Sequence, residues 1–360
     1  MTCALFACEK ESSTTKDSDV FPSDSTDNST DTTTIAELSF YHGADISWIT
    51  EMEQSGKKFY NKAREERECT ALMKELGMDA IRLRVWVNPT DGYCNKEDVL
   101  EKAVRAQKLG MPIMIDFHYS DWWADPGKQN IPAAWKGHTY TEILNDVDRH
   151  TREVLLYLKE QGGVTPMWVQ VGNETANGLL WEVGQADKNP AQYAGIIKAG
   201  YNAVKSVCPD SKVIVHIDRG HNRSLQKWNL DLLRQHGATW DITGLSLYPY
   251  DAYGCWELGN DGQKISVDEA IKRCISNIDY IYQRYNTPVI IVETGMQVGK
   301  PQEGETYLSR LITEAREKTS GHCEGVFYWE PQSSSSWKGY QLGAFNPDGT
   351  PTAIMDAFAK

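Results

Sequence analysis

Two glutamates in this chain follow short apolar runs, and together they could carry out acid–base chemistry. Glu174 comes after the run at 167–172, and Glu293 comes directly after the run at 289–292. Two facing carboxyls suit glycoside hydrolysis, because one protonates the leaving oxygen while the other stabilises or attacks the anomeric carbon. Either glutamate alone could equally be a helix cap or a solvated rim residue, so the interpretation depends on the pair.

The elements that would position these glutamates alternate from about residue 38 onward. Short apolar runs are separated by longer amphipathic stretches, which is typical of βα units around a parallel sheet. The predicted strands cover residues 40–47, 80–87, 111–118, 167–173, 213–218, 242–247, 289–293 and 325–329. The predicted helices cover residues 62–76, 96–108, 140–161, 190–207, 224–236, 267–285 and 305–317, with a last one after residue 352. This pattern predicts a single-domain (β/α)8 TIM barrel of the α/β class over residues 38–360.

In such a barrel the active site lies at the carboxyl ends of the strands. Glu174 and Glu293 end the fourth and seventh predicted strands, which lie on opposite sides of the barrel, so the two side chains can converge across its mouth. A doubly wound sheet is the rival fold, but neither G-x-G-x-x-G nor G-x-x-x-x-G-K-[ST] occurs. G-x-S-x-G and H-E-x-x-H are absent as well, so the sequence offers carboxylates rather than a nucleophilic serine or a motif-bound zinc.

Composition narrows the range of partners. The 360 residues carry a formal net charge of -13, which argues against nucleic acid because a phosphate-binding face needs clustered Lys and Arg. No run approaches the roughly 18–20 apolar residues of a membrane-spanning helix. Twelve Trp and 17 Tyr stand beside only 8 Phe, a balance of rings that suits sugar ligands.

The N-terminal residues predict export. Residues 1–8 resemble a truncated end of a bacterial lipoprotein signal, in which Cys8 would be lipidated, although incidental cysteines in a loose terminus are the alternative. Residues 9–34 contain 6 Ser, 7 Thr and 5 Asp with little to bury. We therefore predict a disordered tether over residues 9–37 and an exported protein, either secreted or a lipoprotein of the cell surface or outer membrane.

Six cysteines lie beyond the tether, scattered and without a C-x-x-C motif: Cys69, Cys94, Cys208, Cys255, Cys274 and Cys323. Their spacing makes a zinc ribbon or thioredoxin chemistry unlikely. One or two disulfides and a set of buried thiols are both compatible with the sequence.

Longer strings carry a family resemblance. Asn173-Glu174 after strand four with Glu293 after strand seven resembles a large clan of retaining (β/α)8 glycosidases. Within that clan, the following strings resemble the family-53 endo-β-1,4-galactanases: RLRVWVNP at 82–89, DFHYSDWWADP at 116–126, GNE at 172–174 with GLLW at 178–181, HID at 216–218, SLYP at 246–249 and YWEP at 328–331. The similarity runs in order from about residue 41 to residue 358.

The resemblance implies that Glu174 is the acid/base and Glu293 the nucleophile. Glu293 must then stay ionised, and Arg84 and Tyr248 are the expected donors to it. Arg82, Arg84 and Trp86 share parity on one strand, so they should face the barrel lumen together. An inward arginine needs a carboxylate partner, and Glu293 is where that partner is expected.

Other residues are expected to bind sugar. Asn173 should hydrogen-bond the 2-hydroxyl, with a turn-forming asparagine as the alternative. His118 and Asp121 are expected to contact hydroxyls near the cleavage point, and Asp218 is a further predicted contact. The pairs His118/Asp116 and His216/Asp218 could suggest a metal site, but 41–45 lacks the H-x-H that such enzymes carry on strand one, so no metal is predicted.

Tryptophans at or beyond the strand ends could stack on pyranose faces. Trp329 is the predicted floor of the subsite for the reacting sugar, and Trp86 and Trp122 are predicted contacts. For each ring except Trp329, core packing is an equal alternative. The full set is Trp86, Trp122, Trp123, Trp181, Trp329 and Trp337.

The chain departs from the family pattern in two places. The loop after strand seven, 295–305, has no cluster of Asp, so the calcium site of some relatives is not expected. The run QSSSS at 332–336 replaces an expected aromatic stretch, which leaves the sugar contacts at that edge open.

The predicted function is a monomeric, retaining endo-β-1,4-galactanase that acts on galactan side chains of pectin and on galacto-oligosaccharides. No cofactor is needed, because two carboxylates complete the chemistry. A β-mannanase of the same clan and a non-catalytic galactan-binding barrel are the alternatives.

Overall fold

Eight parallel strands close into a barrel in the computed structural model, which describes residues 40–249 and 265–359. Each strand pairs with its sequence neighbour, and β1 pairs with β8 to complete the ring. The strands are β1 (Tyr41–Asp45), β2 (Ala80–Val85), β3 (Ile113–Phe117), β4 (Trp168–Val171), β5 (Lys212–Ile217), β6 (Ile242–Leu247), β7 (Val289–Thr294) and β8 (Cys323–Trp329). The predicted (β/α)8 barrel is confirmed.

Helices surround the barrel between consecutive strands. The main ones are α1 (Cys69–Glu75), α2 (Lys96–Lys108), α3 (Tyr140–Gly162), α4 (Pro190–Val207), α5 (Arg223–Gln235), α6 (Val267–Tyr285) and α7 (Pro301–Glu317), and a 3₁₀ segment (Ala353–Phe358) follows β8. A short helix (Ile49–Gln54) lies between β1 and α1. Apolar residues spaced along one face of each main helix are buried against the sheet, as helical periodicity requires.

Two predicted helix starts were wrong. The helix predicted from residue 62 begins only at Cys69, because Glu66–Arg67 pairs with Phe59–Tyr60 in an antiparallel ladder. The carboxylate of Glu68 then caps the helix by accepting from the Ala71 N–H. The helix predicted from residue 305 begins earlier, at Pro301, since proline suits the first helical position, where its missing N–H has no partner to lose.

The barrel interior is apolar at the amino-terminal end and polar above it. Side chains of Trp168, Phe327, Met114 and Ile290 belong to one buried apolar cluster within the barrel. The next inward positions on β2, β3, β4 and β5 are polar and fully buried: Arg82, Asp116, Gln170 and His216. A polar layer therefore separates the apolar interior from the carboxyl ends of the strands.

Five cysteines are free thiols and buried: Cys69, Cys94, Cys208, Cys274 and Cys323. Of the two alternatives, the buried thiols are confirmed for these five. Cys255 lies outside the described residues.

The N-terminal predictions lie outside the described residues as well. The signal-like stub at 1–8, the tether at 9–37 and lipid attachment at Cys8 stay predictions. Within the described residues, none of the helices combines the length and apolar character needed to cross a membrane.

Gly43 makes room for a core ring inside the barrel. A Cβ at Gly43 would lie 2.0 Å from Cδ1 of Phe327, a separation that forces the buried ring or the strand to move. We expect Gly43→Ala to lower the free energy of unfolding by about 1–3 kcal/mol or more, because overpacking strains a filled core. Gly299→Ala is the matched control, since a Cβ there meets no heavy atom within 4 Å. Thermal denaturation followed by circular dichroism measures both, and equal melting temperatures would contradict this account.

Candidate active site

A cavity of about 520 Å³ opens at the carboxyl ends of the strands. Both predicted catalytic glutamates line it, and with them the lining residues come from six barrel strands or the loops that follow these strands. Its walls are His118, Trp123, Ala124, Asp125, Pro126, Asn173, Glu174, Asp218, Arg219, Ser246, Tyr248, Glu293, Trp329, Tyr340 and Leu342.

Glu174 reaches the cavity from a strained backbone position. Its φ of 47° lies in the left-handed region, which is costly for a residue with a Cβ. The conformation turns the chain sharply after β4, and the Glu174 N–H donates to Nδ1 of His216. Its Oε1 accepts a hydrogen bond from the Ser246 hydroxyl at 2.6 Å.

Glu293 faces the cavity because of a register shift in the sheet. Its neighbour Val292 belongs to the buried cluster inside the barrel, so regular alternation would point Glu293 outward. The pairing of β6 with β7 shifts after Leu245, however, and Ser246 pairs with Glu293 rather than with Val292. Such a bulge re-aims the following side chain, and here it brings the carboxylate to the lumen.

Arg82 and Tyr248 are the partners of Glu293. Nη2 of Arg82 lies 2.8 Å from Oε1 of Glu293, and the Tyr248 hydroxyl donates to Oε2 at 3.2 Å. The expectation that Arg84 is the donor was wrong. Arg84 does face the lumen, as the shared parity predicted, but it pairs with Glu330 instead. Alternation along the strand places both arginines inside the barrel, but it does not predict which carboxylate each one pairs with.

The Arg82 guanidinium forms ion pairs with three buried carboxylates. Besides Glu293 it contacts Asp45 at 2.8 Å and Asp116 at 2.9 Å, and its side chain has no solvent exposure. A charge buried this deeply is tolerated only when it is paired and hydrogen-bonded. Nη1 of Arg84 also lies 4.0 Å from Asp45, but the carboxylates of this layer still outnumber the two arginines, so the site favours retention of a proton among its acidic groups.

That proton belongs on Glu174. Burial raises the pKa of Glu174 well above its usual value, the charges of Glu293 and Asp218 raise it further, and the Ser246 hydrogen bond lowers it. The pKa of Glu293 is also raised, to about 7: burial and the charges of Asp116 and Asp45 raise it, while Arg82 and the Tyr248 hydroxyl limit the increase. Because Glu174 has no cation of comparable strength among the described residues, the first proton added to the pair goes to Glu174, and Glu293 is the carboxyl favoured as the anion.

Arg84 organises aromatic rings rather than the nucleophile. Its Cζ lies 4.3 Å from the ring centre of Trp123, 5.3 Å from that of Trp86 and 5.4 Å from that of Trp48. A desolvated guanidinium over indole faces stabilises such a cluster. Arg84 therefore supports the aromatic wall from behind and is absent from the cavity lining.

His118 lines the cavity, but protein groups occupy its ring nitrogens. Nδ1 accepts from Nε1 of Trp86 at 3.2 Å and from the Ala124 N–H at 3.1 Å. The proton is therefore on Nε2, which lies 3.0 Å from the Asp116 carboxylate. The expectation that His118 hydrogen-bonds sugar hydroxyls is contradicted, since neither nitrogen is left for a ligand.

Asp121 is not in the cavity. Its two carboxylate oxygens accept the backbone N–H groups of Asn88, at 3.0 Å, and Ala133, at 2.7 Å. The expected sugar contact is therefore contradicted, and Asp121 instead ties together the loops after β2 and β3.

Asn173 and Asp218 both reach the cavity as predicted from the sequence. The Asn173 amide donates to Ala124 O, and its oxygen accepts from Arg82 at 3.0 Å. Oδ2 of Asp218 accepts from Nε of Arg219 at 2.7 Å, whereas its buried Oδ1 has no hydrogen-bond partner within residues 40–249 and 265–359. That oxygen is free to accept a hydrogen bond from a ligand.

Some of the tryptophans at the strand ends line the cavity, and others lie outside it. Trp329 lines the cavity, whereas Trp86 is buried behind it and Trp122 lies outside it, 44% exposed, with its ring centre 4.7 Å from that of Trp86. Trp123 lines the cavity instead of its neighbour. Tyr340 is a further cavity ring, with its centre 4.9 Å from that of Trp329.

The structure describes the two segments in which the sequence departs from the family pattern. In the run at 332–336 the first three residues are buried and the last two are exposed, and Tyr340 from the segment after it supplies an aromatic ring at that edge. The loop between β7 and α7 covers only residues 295–300. Within residues 40–249 and 265–359, no group of three or more His, Cys, Asp or Glu side chains could hold a metal ion.

Sequence reasoning missed several site residues. Ser246 begins the SLYP string that carries part of the resemblance, but no pattern in the sequence indicated a role for it, and Tyr340 has no distinguishing pattern. Arg82 carried a signal, since its inward parity already required a buried carboxylate. Arg219 and Leu342 come from loops after strands, whose course periodicity does not predict.

Comparison with known proteins places the chain in a family. The sequence profile described as Glycosyl hydrolase family 53 matches residues 41–350. The chain belongs to glycosyl hydrolase family 53. This confirms the resemblance carried by the sequence strings, and every residue that lines the cavity falls within the matched region.

Individual relatives agree with the family-53 assignment. A protein of Niallia circulans described as uncharacterized is 33% identical over 348 residues, which cover 88% of this chain and 90% of that protein. Arabinogalactan endo-β-1,4-galactanase A of Emericella nidulans is 30% identical over 314 residues, which cover 81% and 84%. A structure reported for two fungal β-1,4-galactanases superimposes with a TM-score of 0.79 at 25% identity, over 89% of this chain and 99% of that chain.

Removal of the Arg82 charge should destabilise this family-53 barrel. Arg82→Met leaves Asp45, Asp116 and Glu293 without their shared cation, so we expect the free energy of unfolding to fall by about 3–5 kcal/mol. Arg64→Met is the control, because that side chain is 75% exposed, its ion pair with Asp348 is exposed as well, and its loss should change stability by no more than about 0.5 kcal/mol. Urea denaturation measures both, and similar losses in the two variants would refute the role given to Arg82.

Proposed function

We propose that this family-53 protein is a retaining endo-β-1,4-galactanase that cleaves internal bonds of galactan. The observation that carries the proposal is the pair of buried glutamates in one cavity, of which Glu293 alone pairs with a cation among the residues that the structure describes. The curated relative from Emericella nidulans bears the name of this activity, which supports the substrate class.

The first step uses the two carboxyls at once. Glu174 gives its proton to the glycosidic oxygen as the bond from that oxygen to the anomeric carbon breaks. Glu293 attacks the same carbon from the opposite face and forms a glycosyl ester, and the shortened galactan leaves with a free hydroxyl. The environments match these tasks, because Arg82 favours the ionised form of Glu293 while burial favours the protonated form of Glu174.

The second step returns the enzyme to its starting state. Glu174, now a carboxylate, takes a proton from a water molecule, whose oxygen attacks the anomeric carbon. The ester bond to Glu293 breaks, and the sugar is released with its original β-configuration. Once Glu293 is esterified its negative charge is gone, so the pKa of Glu174 falls and the carboxylate is available as a base.

Neighbouring groups would position the sugar. Trp329 lines the cavity and would contact the reacting sugar, and Asn173 has a second amide hydrogen beyond the one bound to Ala124 O. Oδ1 of Asp218, which has no partner among the described residues, can accept a hydroxyl near Glu174. Arg84 and Trp86 would act through the aromatic wall rather than by direct contact.

A strip of three indole rings supports action within a chain. Trp329 and Trp123 line the cavity with ring centres 5.7 Å apart, and the exposed Trp122 follows at 6.2 Å from Trp123. The ring planes are inclined by 63° and 78°, so the strip is a wall of indoles packed edge to face. Several sugar units would contact this wall in series, as an endo-acting enzyme requires. One chain supplies both glutamates and the strip, so we propose that the monomer is active.

Incubation with linear β-1,4-galactan tests the function. We expect short galacto-oligosaccharides to appear first as β-anomers in early proton NMR spectra, with mannan and arabinan left intact. Glu174→Gln should lower the rate by about 10²–10⁴-fold, because the variant cannot donate a proton. Cleavage of mannan alone would instead favour a β-mannanase, and galactan binding without cleavage would indicate a binding barrel.

The role of Trp122 is tested by kinetics on long galactan chains. Trp122→Ala should raise KM for long galactan by about 2–12-fold, the equivalent of a stacking contribution of about 0.5–1.5 kcal/mol, with kcat little changed. Trp228→Ala is a matched control on α5, with 41% of the residue exposed and no place in the cavity lining. Equal kinetics for the two variants would remove Trp122 from the binding strip.

A further inference from the structure

The Ser246 hydroxyl links Glu174 to a buried histidine. Its Oγ lies 2.6 Å from Oε1 of Glu174 and 2.7 Å from Nε2 of His216. Both Ser246 and His216 are buried, on β6 and β5 respectively. The chemistry described so far assigns neither side chain a task.

A backbone amide sets the direction of these hydrogen bonds. The Glu174 N–H lies 3.3 Å from Nδ1 of His216, and an amide N–H can only donate, so Nδ1 presents its lone pair. The proton of the neutral ring is then on Nε2 and is donated to Ser246. The single hydroxyl hydrogen of Ser246 is left for Glu174. The opposite tautomer, with Nδ1–H toward Asn173 Oδ1 at 3.0 Å, would deprive the Glu174 N–H of its acceptor.

The surroundings keep the His216 ring neutral. Burial lowers its pKa well below the usual value, and Arg82 and His118 lower it further against the opposing charge of Asp116. A neutral ring has one donor and one acceptor. The donor order from His216 through Ser246 to Glu174 therefore persists across the working pH range.

We infer that Ser246 and His216 form a fixed donor chain that positions the Glu174 carboxyl and stabilises it in the ionised form. In that form Glu174 acts as the base of the second step, so this role rests on the proposed function. Both are positioning residues, because neither contacts the reacting atoms. The proton for the leaving group travels on the other carboxyl oxygen, Oε2, while Oε1 stays bound to Ser246.

The charged groups around Glu174 explain why such a donor is useful. Glu293 on β7, Asp218 after β5 and Asp125 in the loop after β3 are all acidic, and each raises the pKa of Glu174. The Ser246 hydrogen bond acts in the opposite direction. It limits a shift that would otherwise keep Glu174 protonated when the second step needs a carboxylate.

Ser246→Ala tests the inference through the pH profile. Loss of a donor to the carboxylate should raise the pKa of Glu174, so the alkaline limb of kcat/KM on galactan should move up by about one pH unit. Ser246→Thr keeps a hydroxyl and should restore the limb. His216→Gln keeps an N–H donor and should move the limb up by less, which provides a second variant if Ser246→Ala fails to fold.

Thr243→Val is the control on the same strand. Its hydroxyl is buried, lies 3.0 Å from that of Thr287 and has no place in the cavity. This variant should leave the limb unmoved. If Ser246→Ala loses activity equally at every pH while the limb stays in place, Ser246 is only structural and the inference is wrong.

A direct titration separates this inference from the proposed function. Infrared difference spectra, with Glu174→Gln as the subtraction reference, follow the protonated carboxyl band of Glu174 without any substrate. The band should persist to higher pH in Ser246→Ala than in the unmodified protein, and equal midpoints would overturn the inference. Failure of the unmodified protein to cleave galactan would count against the proposed function alone.

Discussion

The buried charge of Arg82 is the constraint on which the active site depends. A guanidinium with no solvent exposure needs anions within hydrogen-bond distance, and strands β1, β3 and β7 each provide one: Asp45, Asp116 and Glu293. The need for these partners accounts for a polar layer inside a barrel whose lower interior is apolar. The same contacts hold the Glu293 carboxylate in place, so the requirement for charge pairing also orients the proposed nucleophile.

The two glutamate carboxyls must also converge in one cavity, and local departures from regular backbone geometry bring them there. Glu174 adopts a left-handed conformation directly after β4, and the register shift beside Val292 turns Glu293 inward. Both features oppose the preferences of isolated residues, so the surrounding barrel must supply the stability that maintains them. The carboxyl ends of a closed parallel barrel suit this purpose, because the hydrogen-bonded ring below holds each strand end in a fixed place.

Much of the fold was predictable, because periodicity reports which residues are buried. The strand at 242–247 was predicted with its observed bounds, and the other strands differ by a few residues at their ends. The two glutamates were recognisable as charged residues that end apolar runs. The ion-pair partner of each arginine was not predictable. Parity put Arg82 and Arg84 in the lumen, but it did not show which of them pairs with Glu293 and which with Glu330. Alternation would even have turned Glu293 outward, because a bulge leaves no mark in the residue pattern.

The asymmetry between the two glutamates explains how one carboxyl can serve as acid and then as base. In the free enzyme burial and the charge of Glu293 raise the pKa of Glu174, and no described cation pairs with Glu174, so it is the carboxyl that favours a proton. Burial opposes ionisation of Glu174 most strongly, and the negative charge of Glu293 comes second. Ester formation on Glu293 removes that charge while Arg82 remains nearby. The reaction thus changes the proton affinity of Glu174 in the direction that the next step needs. Arg82 makes this cycle possible, because it lets Glu293 begin as an anion within a buried cavity.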